Sequence, residues 1–147
     1  MSLEIRDTPF TKHLYGIYKP VQEGQKLVDA MVAAMDETWR KVRANQIANQ
    51  GINHILYNGN KRVFAGIEVN GDLPSTAGLQ PVDIHFVRYI YYRFTGSFTR
   101  LGEVYQEIER DIAARNLTTT SDSMEIYGHA SENPEKQVTE ILIELTV

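Results

Sequence analysis

The last ten residues, VTEILIELTV, read as a β-strand that sets Glu140 and Glu144 on one face beside Val138 and Leu142. A half-buried strand ordinarily keeps one face apolar, so these carboxylates face either water or something positively charged. In water a contact ion pair gains only about 1 kcal/mol, and in a low-dielectric groove it gains considerably more. Glu140 is the sharper candidate for a counter-charge to a cation, although alternation alone favours the alternative, a wet outer strand face. Glu144 stands closer to that alternative.

Aromatic residues supply the second chemistry. Trp39, Tyr57, Tyr89, Tyr91, Tyr105 and Tyr127 are able to hold a flat cation against their ring faces, each contact contributing about 0.5 to 2 kcal/mol. Eight tyrosines against five phenylalanines leave many hydroxyls in need of a partner. The expected lining is Trp39, Tyr91, Tyr105 and Tyr127, with Leu142 beside Glu140; for any single ring, core packing is the competing role. Met31, Met35 and Met124 add adaptable apolar surface. The four histidines, His13, His54, His85 and His129, show no metal-ligand spacing, and no nucleophile elbow, phosphate-cradling loop or dinucleotide fingerprint occurs. Neither a metal nor a cofactor is expected.

The elements that must position these residues follow from periodicity. HLYGIYKPV, 13–21, reads as a strand ending at Pro20. From about 25 to 48, Val28, Met31, Met35, Trp39 and Val42 recur at helical spacing. Two apolar runs around Asn58-Gly59 predict a hairpin, and GDLPSTAGLQP a surface linker. The second half repeats this order: VDIHFVRYIYYRF as one long strand, a helix with Leu101, Val104, Tyr105, Ile108 and Ile112 inward, and a final hairpin ending in the strand of Glu140. The halves, about 1–72 and 80–147, align at a spacing of about 74 residues, Leu27 over Leu101 and Met31 over Tyr105. This predicts an α+β domain, a tandem duplication of a strand-helix-hairpin unit with a mostly antiparallel sheet, two main helices and a central ligand groove between the halves. By this internal symmetry Glu68 is a second candidate for the groove.

Composition narrows the function. The chain has 147 residues, 42% hydrophobic and 23% charged, enough for one domain with a core. A net charge of -4 with no basic run argues against direct nucleic-acid binding. The absence of cysteine excludes a disulfide framework and a thiolate nucleophile. MSLEIRDTPF carries charges where a signal peptide is apolar, and no run approaches a membrane span, so a cytoplasmic location without membrane association is the expectation.

YYRFTGSFTRLGEVYQEIERDIAARNL, followed by MEIYGHASENP and VTEILIEL, resembles the GyrI-like small-molecule-binding family, the AraC-type effector-binding domain of bacterial multidrug-responsive regulators. The matching positions are Gly96 and Phe98 before the helix, Leu101 and Tyr105 within it, Tyr127 before the Asn133-Pro134 turn, and Thr139-Glu140-Ile141 in the last strand. Two positions depart from the pattern: Glu144 where proline is frequent, and Gly-Ser-Phe where Gly-Pro-Tyr is common. The resemblance implies a groove with aromatic walls and an acidic residue that binds lipophilic, often cationic, molecules. It also implies a single effector-binding domain filling the chain, with no DNA-binding domain, that acts by sequestration or as a transcription-regulation accessory through a separate protein partner. Stand-alone members of the family also occur as mobile gene-cassette products. Two further activities occur among them: hydrolysis of cyclopropane-bearing electrophilic toxins, for which Glu140 with Glu68 or Glu125 would form a carboxylate pair, and gyrase inhibition through a surface contact.

Overall fold

The computed structural model describes residues 3–71, 73 and 77–147. Among these described residues there are eight strands: β1 (Glu4–Arg6), β2 (Phe10–Pro20), β3 (Asn53–Asn58), β4 (Arg62–Ile67), β5 (Gln80–Phe86), β6 (Tyr89–Thr95), β7 (Thr119–Tyr127) and β8 (Val138–Leu145). Two helices, α1 (Leu27–Ala44) and α2 (Leu101–Ala114), complete the fold, α2 being preceded by a 3-10 turn at Phe98–Arg100. The strands form one sheet in the order β1-β6-β8-β7-β3-β4-β2-β5, with every pair antiparallel.

The duplication is visible in this order. The first unit contributes β2-α1-β3-β4 and the second β6-α2-β7-β8, and the two meet at a seam where β3 pairs with β7. His54 pairs with Gly66, and Ile126, 72 residues after His54, pairs with Glu140, 74 after Gly66. Both helices close alike. Gln46 and Asn116 take left-handed φ values of 51° and 54°, and the next N–H returns to a carbonyl five residues back, Ile47 to Val42 at 3.0 Å and Leu117 to Ile112 at 3.1 Å. These are Schellman-type ends, and they stop α1 at Ala44, short of the expected 48.

The expected long strand VDIHFVRYIYYRF is two strands. β5 forms one edge of the sheet and β6 lies next to the other edge, with only Val87 and Arg88 between them. In a flat sheet the two would be about 29 Å apart at ~4.8 Å per strand, whereas three Cα steps reach about 11 Å. The sheet must therefore curl until its ends meet. Phe10, Phe86 and Tyr89 pack at that closure with centroids 6.1 to 6.5 Å apart, and Arg88 pairs with Asp7 at 3.2 Å.

Curling divides the side chains between two faces. The concave face is a core of Leu14, Leu56, Phe64, Ile84, Met124 and Leu142. The convex face carries the helices: Ala30 and Ala34 of α1 on Ile55, Val63 and Ala65, and Val104 and Ile108 of α2 on Phe94 and Ile141. Each fully buried isoleucine here contributes roughly 1.5 to 3 kcal/mol. The stripe of α1 that is buried on the sheet is thus Ala30, Ala34, Thr38 and Val42, because small residues let the helix approach closely. Met31 and Met35 are displaced to its flank, and Val28 and Val32 are exposed. Of the expected linker, 72 and 74–76 lie outside the described residues. Its flank packs inward, Ala77 being buried with Val42, Ile47 and Ile67.

Candidate functional site

α1 covers the first unit and α2 the second, which leaves a groove between them over the β3–β7 seam. On its floor Glu125 of β7 is 4% exposed. Three tyrosine hydroxyls donate to it: Tyr57 of β3 to Oε1 at 2.8 Å, Tyr127 of β7 to Oε1 at 2.7 Å, and Tyr105 of α2 to Oε2 at 2.5 Å. Alternation explains the cluster, since Glu125 and Tyr127 are two apart in β7 and Tyr57 reaches them across the seam from β3, where Ile55 pairs with Glu125. Dehydrating a carboxylate costs several kcal/mol unless other hydrogen bonds replace the water. The three O–H groups do so, but they bring no positive charge, and no basic side chain among the described residues forms an ion pair with Glu125. Burial first, and then the Glu125 charge, push all three phenols above the ordinary tyrosine range, so they remain protonated donors.

Two bays open from this floor and share Val28, Tyr57 and Glu125. The first, about 610 Å³, is walled by Met31, Val32 and Met35 of α1 and by Phe98, Leu101 and Tyr127. Phe98 packs on Tyr127 with centroids 5.2 Å apart. Its rim keeps three large apolar side chains half exposed, Val28 at 50%, Val32 at 46% and Phe98 at 49%, a clustering that marks contact surfaces. The second bay, about 540 Å³, runs along Leu27, Gly59, Asn60, Ser121 and Ser123.

Of the residues expected in the groove, Tyr105 and Tyr127 are there. Trp39 stands behind it, its indole N–H donating to Asn53 Oδ1 at 2.6 Å, and Asn53 lines the first bay. Glu140, Tyr91, Leu142 and Glu68 lie on the other face of the sheet. The reason is the phase of β8: Ile141 pairs with Glu125 and shares its convex face, so Glu140 and Leu142 point to the concave one. Glu140 accepts from Tyr91 O–H at 2.5 Å, and the Arg6 guanidinium lies 3.6 Å from the centroid of the Tyr91 ring. Burial and this hydrogen bond push the Tyr91 phenol up to about 12. Leu142 is in the core at 1% exposure. Glu68 pairs with Lys12 at 3.0 Å and approaches His54 Nε2 at 4.0 Å, and burial holds His54 below the ordinary histidine range. Glu144 accepts from Thr120 at 2.8 Å. Glu140 thus faces a tyrosine of its own chain, whose ring carries the Arg6 guanidinium, and neither it nor Glu68 shares a face with Glu125. Sequence reasoning named Glu125 only as a partner in hydrolysis and Tyr57 only among the aromatics. The signal was present in SMEIY, where Ser123, Glu125 and Tyr127 share one face of a strand whose other face, Met124 and Ile126, is plainly core.

No protein-family profile matches this chain, and no curated protein matches it. Solved structures match over nearly its full length. The structure of SAV2435 bound to tetraphenylphosphonium is 17% identical with a TM-score of 0.64, over 99% of this chain and 94% of that one. The EcmrR C-terminal domain is 12% identical with a TM-score of 0.75, over 99% and 97%. A hydrolase from Listeria innocua is 10% identical with a TM-score of 0.60, over 98% and 91%. At these identities the likeness is one of fold, and the α+β architecture is consistent with a GyrI-like fold.

Proposed function

We propose that this chain binds lipophilic cations or cationic amphiphiles in the groove between α1 and α2, with Glu125 as counter-charge. One observation carries the reading: a carboxylate 4% exposed, held by three neutral tyrosine donors and by no basic side chain among the described residues, at the floor of an apolar-walled groove. A buried anion without a cation lacks a partner that a ligand can supply. With three acceptor sites already used, Glu125 offers little to a ligand rich in N–H donors and suits a diffuse or quaternary charge surrounded by rings. The tetraphenylphosphonium held by SAV2435 is a cation of that kind. Binding would act by sequestration or through a separate regulatory partner, as the likeness to the EcmrR domain suggests. The paired-glutamate hydrolysis reading is less supported, since Glu125 is the one carboxylate among the residues lining either bay.

Calorimetric titration with tetraphenylphosphonium, the isosteric anion tetraphenylborate and neutral triphenylphosphine oxide tests this. The phosphonium is expected to bind, the borate not to bind, and Glu125→Gln, checked for native circular dichroism, to weaken the phosphonium at least about fivefold, the loss of roughly 1 kcal/mol of ion pairing. Equal binding of cation and anion, or an unaffected variant, would overturn the assignment of Glu125.

A further inference from the structure

The second bay has a chemistry of its own. Across the seam from Tyr57, β7 places Ser123 on the groove face directly opposite the ring that donates to Glu125. Just before it the pairing of β7 with β8 slips between Thr119 and Ser123, and Ser121 takes a left-handed φ of 82°. Gly59 N–H holds this irregularity by donating to Ser121 O at 3.0 Å. Bulges of this kind re-aim side chains beside binding sites, and a non-glycine residue at positive φ is held there at a cost. Ser121, Ser123 and Asn60 all line the bay, and among the described residues none of their side chains makes a hydrogen bond within the protein. Two hydroxyls and an amide therefore face open space, with Glu125 between them and the methionine-lined bay.

From this arrangement we infer that the groove selects a two-armed cation, with its charge over Glu125, an apolar arm among Met31, Met35 and Phe98, and a hydroxylated arm against Ser121, Ser123 and Asn60. The inference rests on the cation-binding reading above and narrows its ligand class from lipophilic cations in general to polar-substituted ones. A wholly apolar cation would strip water from the three polar side chains and return nothing, which lowers its affinity. The hydroxylated arm replaces that water and fixes the ligand's direction along the groove.

Two naphthylmethyl-dimethylammonium cations, one with a dihydroxypropyl arm and one with its branched pentyl isostere, provide the test by calorimetry. The hydroxylated cation is expected to bind about two- to tenfold tighter, the range of one net neutral hydrogen bond. In the doubly substituted Ser123→Ala, Asn60→Ala protein the difference should vanish, with the pentyl cation's affinity unchanged or improved. Equal or tighter binding of the pentyl cation by the natural chain would overturn the inference while leaving Glu125 as counter-charge. A preference that survives the double substitution would overturn it also. If neither cation binds, the cation-binding reading falls with it.

Discussion

At the scale of single residues, the groove is defined by where protons sit. Tyr105→Phe leaves Glu125 Oε2 without its donor, and the expected cost is about 1 to 3 kcal/mol in chemical denaturation; a loss near zero would show that water serves Oε2 equally well. The phenols of Tyr57, Tyr105, Tyr127 and Tyr91 are all raised in the folded chain, whereas an unfolded tyrosine titrates near ~10. Their contribution to stability is thus complete below pH ~10 and is lost as pH climbs through the folded values, about 12 for Tyr91. Tyrosinate absorbance should lag behind that of free tyrosine, and Glu125→Gln should bring part of it forward by removing the second cause of the shift. Identical titration curves for the two proteins would contradict the placement of Glu125. Tyr105 and Tyr127 were legible as groove residues because their positions in a helix and before a turn were. Glu125 was harder to single out, because the alternation of SMEIY separates its face from the core face of Met124 and Ile126 but does not say whether that face meets water, a helix or a ligand.

At the scale of elements, small residues decide how close the layers come. A Cβ on Gly16 of β2 would meet the carbonyl oxygen of Ala65 at 1.9 Å, so Gly16→Ala forces backbone apart in the middle of the first unit. It should destabilise by more than the ~1 kcal/mol of an ordinary substitution, and a thermal midpoint unchanged from the natural chain would refute the close approach. On α1, the Thr38 hydroxyl reaches Ala34 O at 2.8 Å and Ala65 O at 2.9 Å, joining helix to sheet. Thr38→Val keeps the shape and should cost about 1 kcal/mol in denaturant unfolding; a stabilised variant would show that packing alone sets the helix. The helices were readable from spacing, but the stripe facing the sheet was not. A scan for large apolar residues selects Met31 and Met35, whereas contact with a sheet favours alanine, and this displacement is what furnishes the groove wall.

At the scale of the whole molecule, the repeat was legible because order and spacing survive where identities do not, as Met31 and Tyr105 show. The break at Val87 and Arg88 was hidden, since VDIHFVRYIYYRF keeps strand character throughout and only the closure of the curled sheet requires the chain to change partners there. Stability should follow position in that sheet. Amide hydrogen exchange is expected to be slowest in β3, β7 and β8 and fastest in β1, which is three residues long and pairs on one side only; β1 amides as protected as those of β7 would contradict this order. The seam has one more property. One repeat upstream of Glu125, at offsets of 74 and 72, stand Gly51 and Asn53, both lining the same groove and neither charged. The duplication is thus broken at its own axis, with one copy supplying the anion and the other supplying room. A symmetric seam would have set two carboxylates against each other and invited a doubly charged guest or a pair of guests. With Glu125 as the one carboxylate among the residues lining either bay, the proposed site suits one monovalent cation per chain, and a fold built twice would retain a single valence.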